Sequence, residues 1–542
     1  MKLNLDYVSN IIGDTYRKWK PRDIVIIEAQ TGTGKNYFIE NIFMPYMSPS
    51  KVLFVSNRTN LKRQVKKRLL ESHGLKIPET LEELDGTKTI GHVTVCSYHA
   101  LQHSSLNENY RGKLFDLSRY SAIILDECHF VLSDSGYNNL CRFTYKKLIV
   151  AQYPNLIKVF MSATMDEIGK PITFHMNSAI DKIMGNKPKI HTYKTGKDYS
   201  NVKVKYIEHY NYVEIITNMI LNDTSEEKWL IFISDLKDGK KIMDDIGEDK
   251  CSIIKSRTKS DELMSIINED IFQKKVLIAS KALDNGINIK DDLLTNIVIL
   301  AWDKVSTLQM LGRKRILIDN PQEINLYIST RSKKAFQGLL RKYNRKLADI
   351  DLLMLEDDNK NEFNHKYDNK LSKISDDIIY KDSVTNEFMV NPIGEVRLKK
   401  DIKFAEYMIK QFEMTDKFTY IREQLGWLNL EDTFEEEYLI EEVMLDSDIE
   451  TLENYLESII GQEMLMKADR KELIEKIGLI DTHNSNIKEG NIKLLQNINT
   501  LNSYFVEIRI DFYIKEFETK RIIGGKKKNF KSVWKVMRLS DI

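Results

Sequence analysis

From residue 22 onward, short apolar runs alternate with amphipathic stretches of helical period, the pattern of a parallel sheet in an α/β fold. The expected strands are Ile24–Glu28, Val52–Ser56, Val93–Ser97, Ala122–Asp126 and Ile157–Ser162, with Leu61–Ser72 among the helices between them. A lysine-containing connection follows, Asn177–Asn201, interrupted by Gly185, Pro188 and Gly196. A second alternating block then runs through Val202–Glu208, Trp229–Ser234, Ser252–Lys255, Lys275–Ser280, Asn296–Ala301 and Ile324–Ile328. Past residue 345 the alternation stops, and the chain becomes charged, poor in Gly and Pro, and mostly helical in period, as in Ile402–Phe412 and Leu452–Met466. The expected class is α/β. Two tandem parallel-sheet domains, residues 1–175 and 176–345, precede a mostly helical accessory domain, residues 346–542.

Composition narrows the class. Of 542 residues, 42% are hydrophobic and 30% charged, a balance of folded rather than disordered or membrane chains. Lys and Arg number 81 against 80 Asp and Glu, so any polyanion-binding surface must come from local segregation of charge. Such segregation exists. Residues 431–450 hold ten acids and no base, and residues 520–538 hold eight bases and no acid. The acidic block reads as a solvated helix pair, a phosphate mimic or a partner's docking site. The basic block includes Phe530 and Trp534 and reads as a track for a single strand or as a solvated C-terminal helix with one packed tryptophan. Four scattered cysteines without a C-x-x-C pair exclude a disulfide scaffold and a zinc ribbon. With no apolar run near the roughly 18 residues of a membrane span and no signal-peptide layout at the start, the expected location is the cytoplasm.

The sharpest local chemistry is Ala29-Gln-Thr31-Gly32-Thr33-Gly34-Lys35-Asn36, placed after an expected strand and opening an expected helix. In that context backbone N–H groups wrap phosphates and the lysine reaches the β/γ oxygens, as in a P-loop. Asn36 stands where a Ser or Thr hydroxyl ordinarily contacts Mg²⁺. The second signal is Ile123-Ile-Leu-Asp126-Glu127-Cys-His129, an apolar strand ending in two adjacent carboxylates. Beside a P-loop, the first acid suits Mg²⁺ and the second suits the attacking water.

With Ser162-Ala163-Thr164, Val276–Asn288 and Gln309-Met-Leu-Gly312-Arg313-Lys-Arg315 following in order, the chain resembles the superfamily 2 helicases and translocases with a DExH-type box, across residues 20–335. The resemblance implies two RecA-like domains with ATP and Mg²⁺ between them. It implies that Thr31, Gly32, Thr33, Gly34, Lys35, Asn36 and Gly286 bind nucleotide, that Asp126 and Asn36 hold the metal, and that Glu127 activates water. Gln309, Arg313 and Arg315 would reach across the cleft, Ser162–Thr164 would relay nucleotide state, and His129 would sense the second domain. Nucleic-acid contacts would come from Ser56, Asn57, Arg58 and Thr59, from Ser97, Tyr98 and His99, and from Ser234 and Ser280. The run Arg58–Arg68 adds six positive charges, read either as a solvated helix face or as further contact. Three positions depart from the family pattern: Asn36; Asn288, where an aspartate is usual; and Arg315, one residue early with Ile316 in the usual place.

The implied activity is an ATP-dependent helicase or translocase. DNA is the expected track over RNA, because Gln309 begins a motif that starts with histidine in the RNA-specific DEAD-box branch. The rival readings are a nucleotide-gated clamp with little hydrolysis, and the motor subunit of a larger restriction or defence assembly with a protein partner docking on the C-terminal domain.

Overall fold

The computed structural model describes residues 2–56, 59–106, 116–136, 138–180, 188–254, 261–280, 288–354, 363, 366–367, 375, 377–382, 385–443, 446–480, 493–508, 510–523 and 526–539. It divides into two compact units, one of Met1–Ile215 with Ser225–Glu441, the other of Ile216–Thr224 with Glu442–Ile542.

The larger unit holds two seven-stranded sheets. The first contains β1 (Ile24–Glu28), β2 (Val52–Ser56), β3 (Thr89–Ile90), β4 (Val93–Ser97), β5 (Ala122–Leu125), β6 (Ile157–Ser162) and β7 (Ile190–Lys194), in the order β3-β4-β2-β5-β6-β1-β7. Only β3 runs antiparallel to its neighbour. Strands β1, β2, β5 and β6 are buried at every residue, as central strands covered on both faces must be. Alternate residues supply two separate cores. Val25, Ile27, Phe54, Ile124 and Met161 serve one face, and Ile24, Ile26, Leu53, Ile123 and Phe160 the other. The expected connection at Asn177–Asn201 thus contains a strand, and the first domain extends past residue 175. Among the described residues strand β7 pairs with β1 alone and none of its residues is fully buried, so Ile190-His-Thr-Tyr-Lys194 carries no apolar run to betray it.

The second sheet contains β8 (Val202–Ile207), β9 (Lys228–Phe232), β10 (Cys251–Ile254), β11 (Val276–Ala279), β12 (Leu294–Ile299), β13 (Ile324–Ser329) and, from far along the chain, β16 (Leu439–Ile440). Its order is β10-β11-β9-β12-β13-β8-β16, all parallel. Between β13 and β16 lie two long helices, Lys333–Met354 and Pro392–Met414, and a small hairpin of β14 (Ile379–Lys381) and β15 (Phe388–Val390). The helix Thr419–Leu428 packs Ile421, Leu425 and Leu428 into the same core as Leu326 and Ile328. Ile393 of the second long helix joins the first sheet's core instead, so this stretch groups with both sheets in the larger unit and the expected boundary at residue 346 moves to Glu441.

The smaller unit places the helices Asp446–Ser458, Lys471–Ile477 and Ile498–Glu507 beside a sheet ordered β17-β19-β18, with β17 at Glu463–Met464, β18 at Phe512–Ile523 and β19 at Lys526–Arg538. Leu452–Met466 is thus helical only to Ser458. The basic C-terminal block is no helix but one strand and part of its partner in a long antiparallel hairpin. Phe512, Ile514, Trp534 and Val536, spaced two apart on the paired strands, join one core. The four cysteines are unpaired and buried, and no described helix is long and apolar enough to cross a membrane.

Candidate active site

The glycine-rich turn leaves β1 at Glu28 and is pinned to the sheet by Ala29 N–H donating to Ser162 O (3.1 Å). Gly32 and Gly34 take φ of 93° and 79°, left-handed values that L side chains rarely adopt. Gly34 then caps a helical run that opens at Lys35 and continues through a π-type turn, Ile39–Phe43, to Met47. Lys35 folds back over the turn, its Nζ donating to Ala29 O at 2.6 Å and Gln30 O at 3.4 Å. The same turn meets the second sheet's segment Gly312–Ile316. A Cβ on Gly312 would stand 2.6 Å from Thr31 Oγ1, and one on Gly32 would stand 3.1 Å from Ile316 O.

Asp126 and Glu127 follow β5. Asp126 is buried, and its carbonyl accepts from the Tyr98 hydroxyl at 3.1 Å. Glu127 sits at φ 48°, an uncommon conformation for a residue with a side chain. Its Oε2 accepts from Gln309 Nε2 across the two sheets (3.3 Å) and lies 3.4 Å from His129 Nδ1. His129 Nδ1 in turn bonds Ser162 Oγ (2.9 Å), which bonds Thr164 Oγ1 (3.2 Å). One polar chain thus runs Gln309–Glu127–His129–Ser162–Thr164, joining the second sheet, the acid pair and the end of β6.

The arginines come from the segment after the helix Lys304–Leu311. Arg313 is buried and grips Gln309 twice, Nε to its carbonyl (3.0 Å) and Nη2 to its Oε1 (2.7 Å). Arg315 Nε donates to Asn288 Oδ1 at 2.8 Å, and the two backbones are tied by Ile289 N–H to Arg313 O and Arg315 N–H to Ile289 O, each 2.8 Å. Burial, then the neighbouring Arg313, brings the Arg315 guanidinium down to about 10, with Glu127, Asp126 and Asp270 opposing. Lys35 is lowered too, chiefly by burial; Glu127 and Asp126 pull it up, while Arg315 and Arg313 push it down. Lys35, Arg313 and Arg315 thus gather about Asp126 and Glu127, with Asp270 acting on Arg315 as well. Three buried cations brought together in this way suit a polyanionic ligand. Among the described residues no three acidic, His or Cys side chains gather to hold a metal by themselves. Asp126 lies buried just past β5 and Asn36 in the first turn of the helix that Lys35 opens, the two positions expected to hold Mg²⁺.

Residues 5–167 match the protein family described as type III restriction enzyme, res subunit. The first α/β domain is a superfamily 2 helicase domain. No match to the chain was found among curated proteins. Solved structures similar to it include Saccharomyces cerevisiae Dbp5 bound to RNA and ADP BeF3, 18% identical with a TM-score of 0.43 over 58% of this chain and 81% of that one. Escherichia coli DEAH/RHA helicase HrpB is 14% identical with a TM-score of 0.39 over 61% of this chain and 43% of its own. Mycobacterium smegmatis helicase Lhr bound to ssDNA and AMP-PNP is 13% identical with a TM-score of 0.38 over 70% and 58%.

The residues expected to grip nucleic acid divide. Tyr98 is fully buried with its hydroxyl on Asp126 O, so it is a support of the acid pair and not a strand contact. Ser97 Oγ accepts from Ala100 N–H and caps the helix that follows β4. Ser234 is exposed after β9 and Ser280 half-buried after β11. Thr59 opens the helix Thr59–Ser72. Asn57, Arg58 and Gly286 lie outside the described residues. In the basic run, Arg63 pairs with Asp85, Lys66 Nζ donates to Leu84 O and Asp85 O, and Arg68 pairs with Glu40. Half of its charges thus hold the fold together.

Two contacts went unforeseen. Asn288 and Arg315 are separate departures from the family pattern, yet they bond each other. The N-terminal segment also borders the site. Val8 N–H donates to Thr33 O at 2.9 Å, and Tyr7 Oη donates to Asp319, in the loop ahead of β13, at 3.2 Å. Residues that short and near a terminus carry no motif.

Proposed function

We propose that the protein is a nucleic-acid-dependent ATPase, a helicase or translocase that hydrolyses ATP between its two sheets. The observation that carries this reading is the meeting of Glu127 with Gln309, one residue from each sheet, beside Lys35, Asp126, Arg313 and Arg315. Thr31, Gly32, Thr33 and Gly34 cradle the phosphates by backbone N–H groups, and Lys35 leaves its loop carbonyls to neutralise them. Asp126 and Asn36 would hold Mg²⁺, which would screen the phosphate charge. Glu127 takes the proton of the attacking water, Gln309 fixes the carboxylate's orientation, and Arg313 and Arg315 neutralise charge on the transferring phosphoryl group. Gly286 lines the same cleft. The bond from Glu127 through His129 to Ser162 and Thr164 carries the hydrolytic state to the strand-gripping edge, where Asn57, Arg58, Thr59, Ser97, Ser234 and Ser280 contact phosphates. DNA is the favoured track, on the resemblance of the Gln309–Arg313 motif, with RNA the alternative.

The match to a restriction-enzyme subunit family favours one second reading, that this chain is the motor of a larger assembly. Steady-state ATPase activity with Mg²⁺, measured alone and with single-stranded DNA, duplex DNA and single-stranded RNA, tests both. Stimulation by one polymer that disappears in Lys35→Ala supports the motor and names its track. A flat response under every condition, with ATP still bound, would sink the solitary motor in favour of the assembly or of a clamp.

A further inference from the structure

The inner half of the β18–β19 hairpin is anchored, with Phe512, Ile514, Trp534 and Val536 in the core of the smaller unit. Beyond Phe517 the register shifts, and the ribbon continues from Thr519↔Phe530 to Ile523↔Lys526. A bulge of this kind re-aims the strands beyond it. On this outer half Lys520, Arg521, Ile522, Lys527 and Lys528 are exposed, as is Lys531 in the bulge at its base. Arg521 stands directly opposite Lys528. Like charges facing across a ladder destabilise it. Arg521 is paired with Glu463, whereas Lys520, Lys527, Lys528 and Lys531 make no ion pair among the described residues. Ile522, 75% exposed among these cations, adds an apolar contact that solvation does not account for.

We propose that this outer half is a nucleic-acid arm that grips the backbone of a duplex. Its five paired positions span about 17 Å at ~3.4 Å per residue, half of a duplex turn, and a two-stranded ribbon fits the roughly 12 Å major groove. Phe530 is half-buried opposite Thr519, so the arm does not offer the free aromatic face that single-strand stacking requires. The proposal rests on the motor reading only for the identity of the polyanion.

The test compares full-length wild type with K520Q/K527Q/K528Q/K531Q, nucleotide-free, by fluorescence anisotropy on a duplex and on its single strand across a salt series. At ~0.9 per phosphate contact, the log–log salt slope for duplex should fall by about 2–4 and duplex affinity by at least ~10-fold. Basal ATPase and Tm should hold, and four Lys→Arg changes should keep the wild-type slope. An unchanged duplex slope overturns the proposal, as does a loss confined to the single strand or to phosphatidylserine vesicles. A wild-type protein without ATPase activity would remove the motor reading and leave this slope comparison standing.

Discussion

The two sheets of the larger unit are the same design used twice. Taken in chain order, β1 to β7 occupy the same places in the first sheet as β8 to β13 and then β16 in the second. The loops at equivalent strand ends differ completely. After β1 comes a glycine-rich turn, whereas after β8 come Glu208 and His209. After β5 come Asp126 and Glu127, whereas after β12 come Leu300, Ala301 and Trp302. After β6 comes Thr164, whereas after β13 comes Arg331. In the second sheet these ends are locked by their own side chains. Buried Arg331 donates to the His209 ring and to Leu300 O (3.1 Å), with its guanidinium 4.2 Å over the Trp302 ring. His209 stacks on Tyr212, and the helix Thr419–Leu428 closes the edge through Tyr420 Oη to Ala301 O and Gln424 Nε2 to Ser329 O. One edge is shaped for a ligand and the other is sealed by an arginine. Function resides in the loops, and the shared sheet supplies only their places.

The largest expected effect breaks the open edge. Glu127→Gln keeps the side chain's size and its neighbours but removes the base, so turnover should fall by about 10²–10⁴-fold with ATP binding intact. Normal hydrolysis by this variant would refute the assigned base. Next comes the sealed edge. Arg331→Met removes a desolvated cation–π contact and the hydrogen bond to Leu300, and should cost about 2–4 kcal/mol of stability by urea unfolding. ATPase per folded molecule should change little. A variant that stays fully stable yet loses activity would mean that this edge takes part in the chemistry.

Legibility followed the same division. The P-loop, the acid pair and the order of Gln309, Arg313 and Arg315 were readable because each sits within a few residues and each needs a particular side chain or a missing one. Buried strands were readable because both faces of the sheet demand apolar residues. Strand β7 was not, being paired on one side only. The C-terminal hairpin was readable but missed: two runs rich in aromatic and β-branched residues flank Gly524-Gly525, a turn signal that the lysine content masked. Long-range pairings carry no local trace at all. Asn288 and Arg315, read separately, look like two losses; together they form one bond that holds the arginine by an amide. Asn288→Ala should therefore lower kcat/KM by about tenfold, the worth of ~1.4 kcal/mol in positioning, and Asn288→Asp should restore it. If Asn288→Ala is indistinguishable from wild type, Arg315 is not held by this contact.

The smallest effect belongs to the sealed edge and carries a definite sign. Burial, then the adjacent Arg331 charge, takes His209 from its ordinary 6.5 down to about 4, and the neutral ring accepts a hydrogen bond from the guanidinium. The ring's other polar neighbour is the Ser329 hydroxyl, and the Tyr212 ring it stacks on has its phenol hydroxyl committed to Asp238. Above pH 6.5 neither the folded nor the unfolded histidine is charged, so the group contributes no pH dependence. As pH falls from 6.5 towards 4, the unfolded chain takes up a proton that the folded chain refuses, and stability declines across that window. Carboxylates titrate in its lower part, so the informative quantity is the difference between wild type and His209→Phe, which keeps the stack on Tyr212 and cannot be protonated. Wild type should lose more of its urea midpoint than His209→Phe between pH 6.5 and pH 4, and the two should run parallel above pH 6.5. Parallel curves throughout would mean that Arg331 does not hold His209 neutral, and the second sheet's edge would then be closed by packing alone.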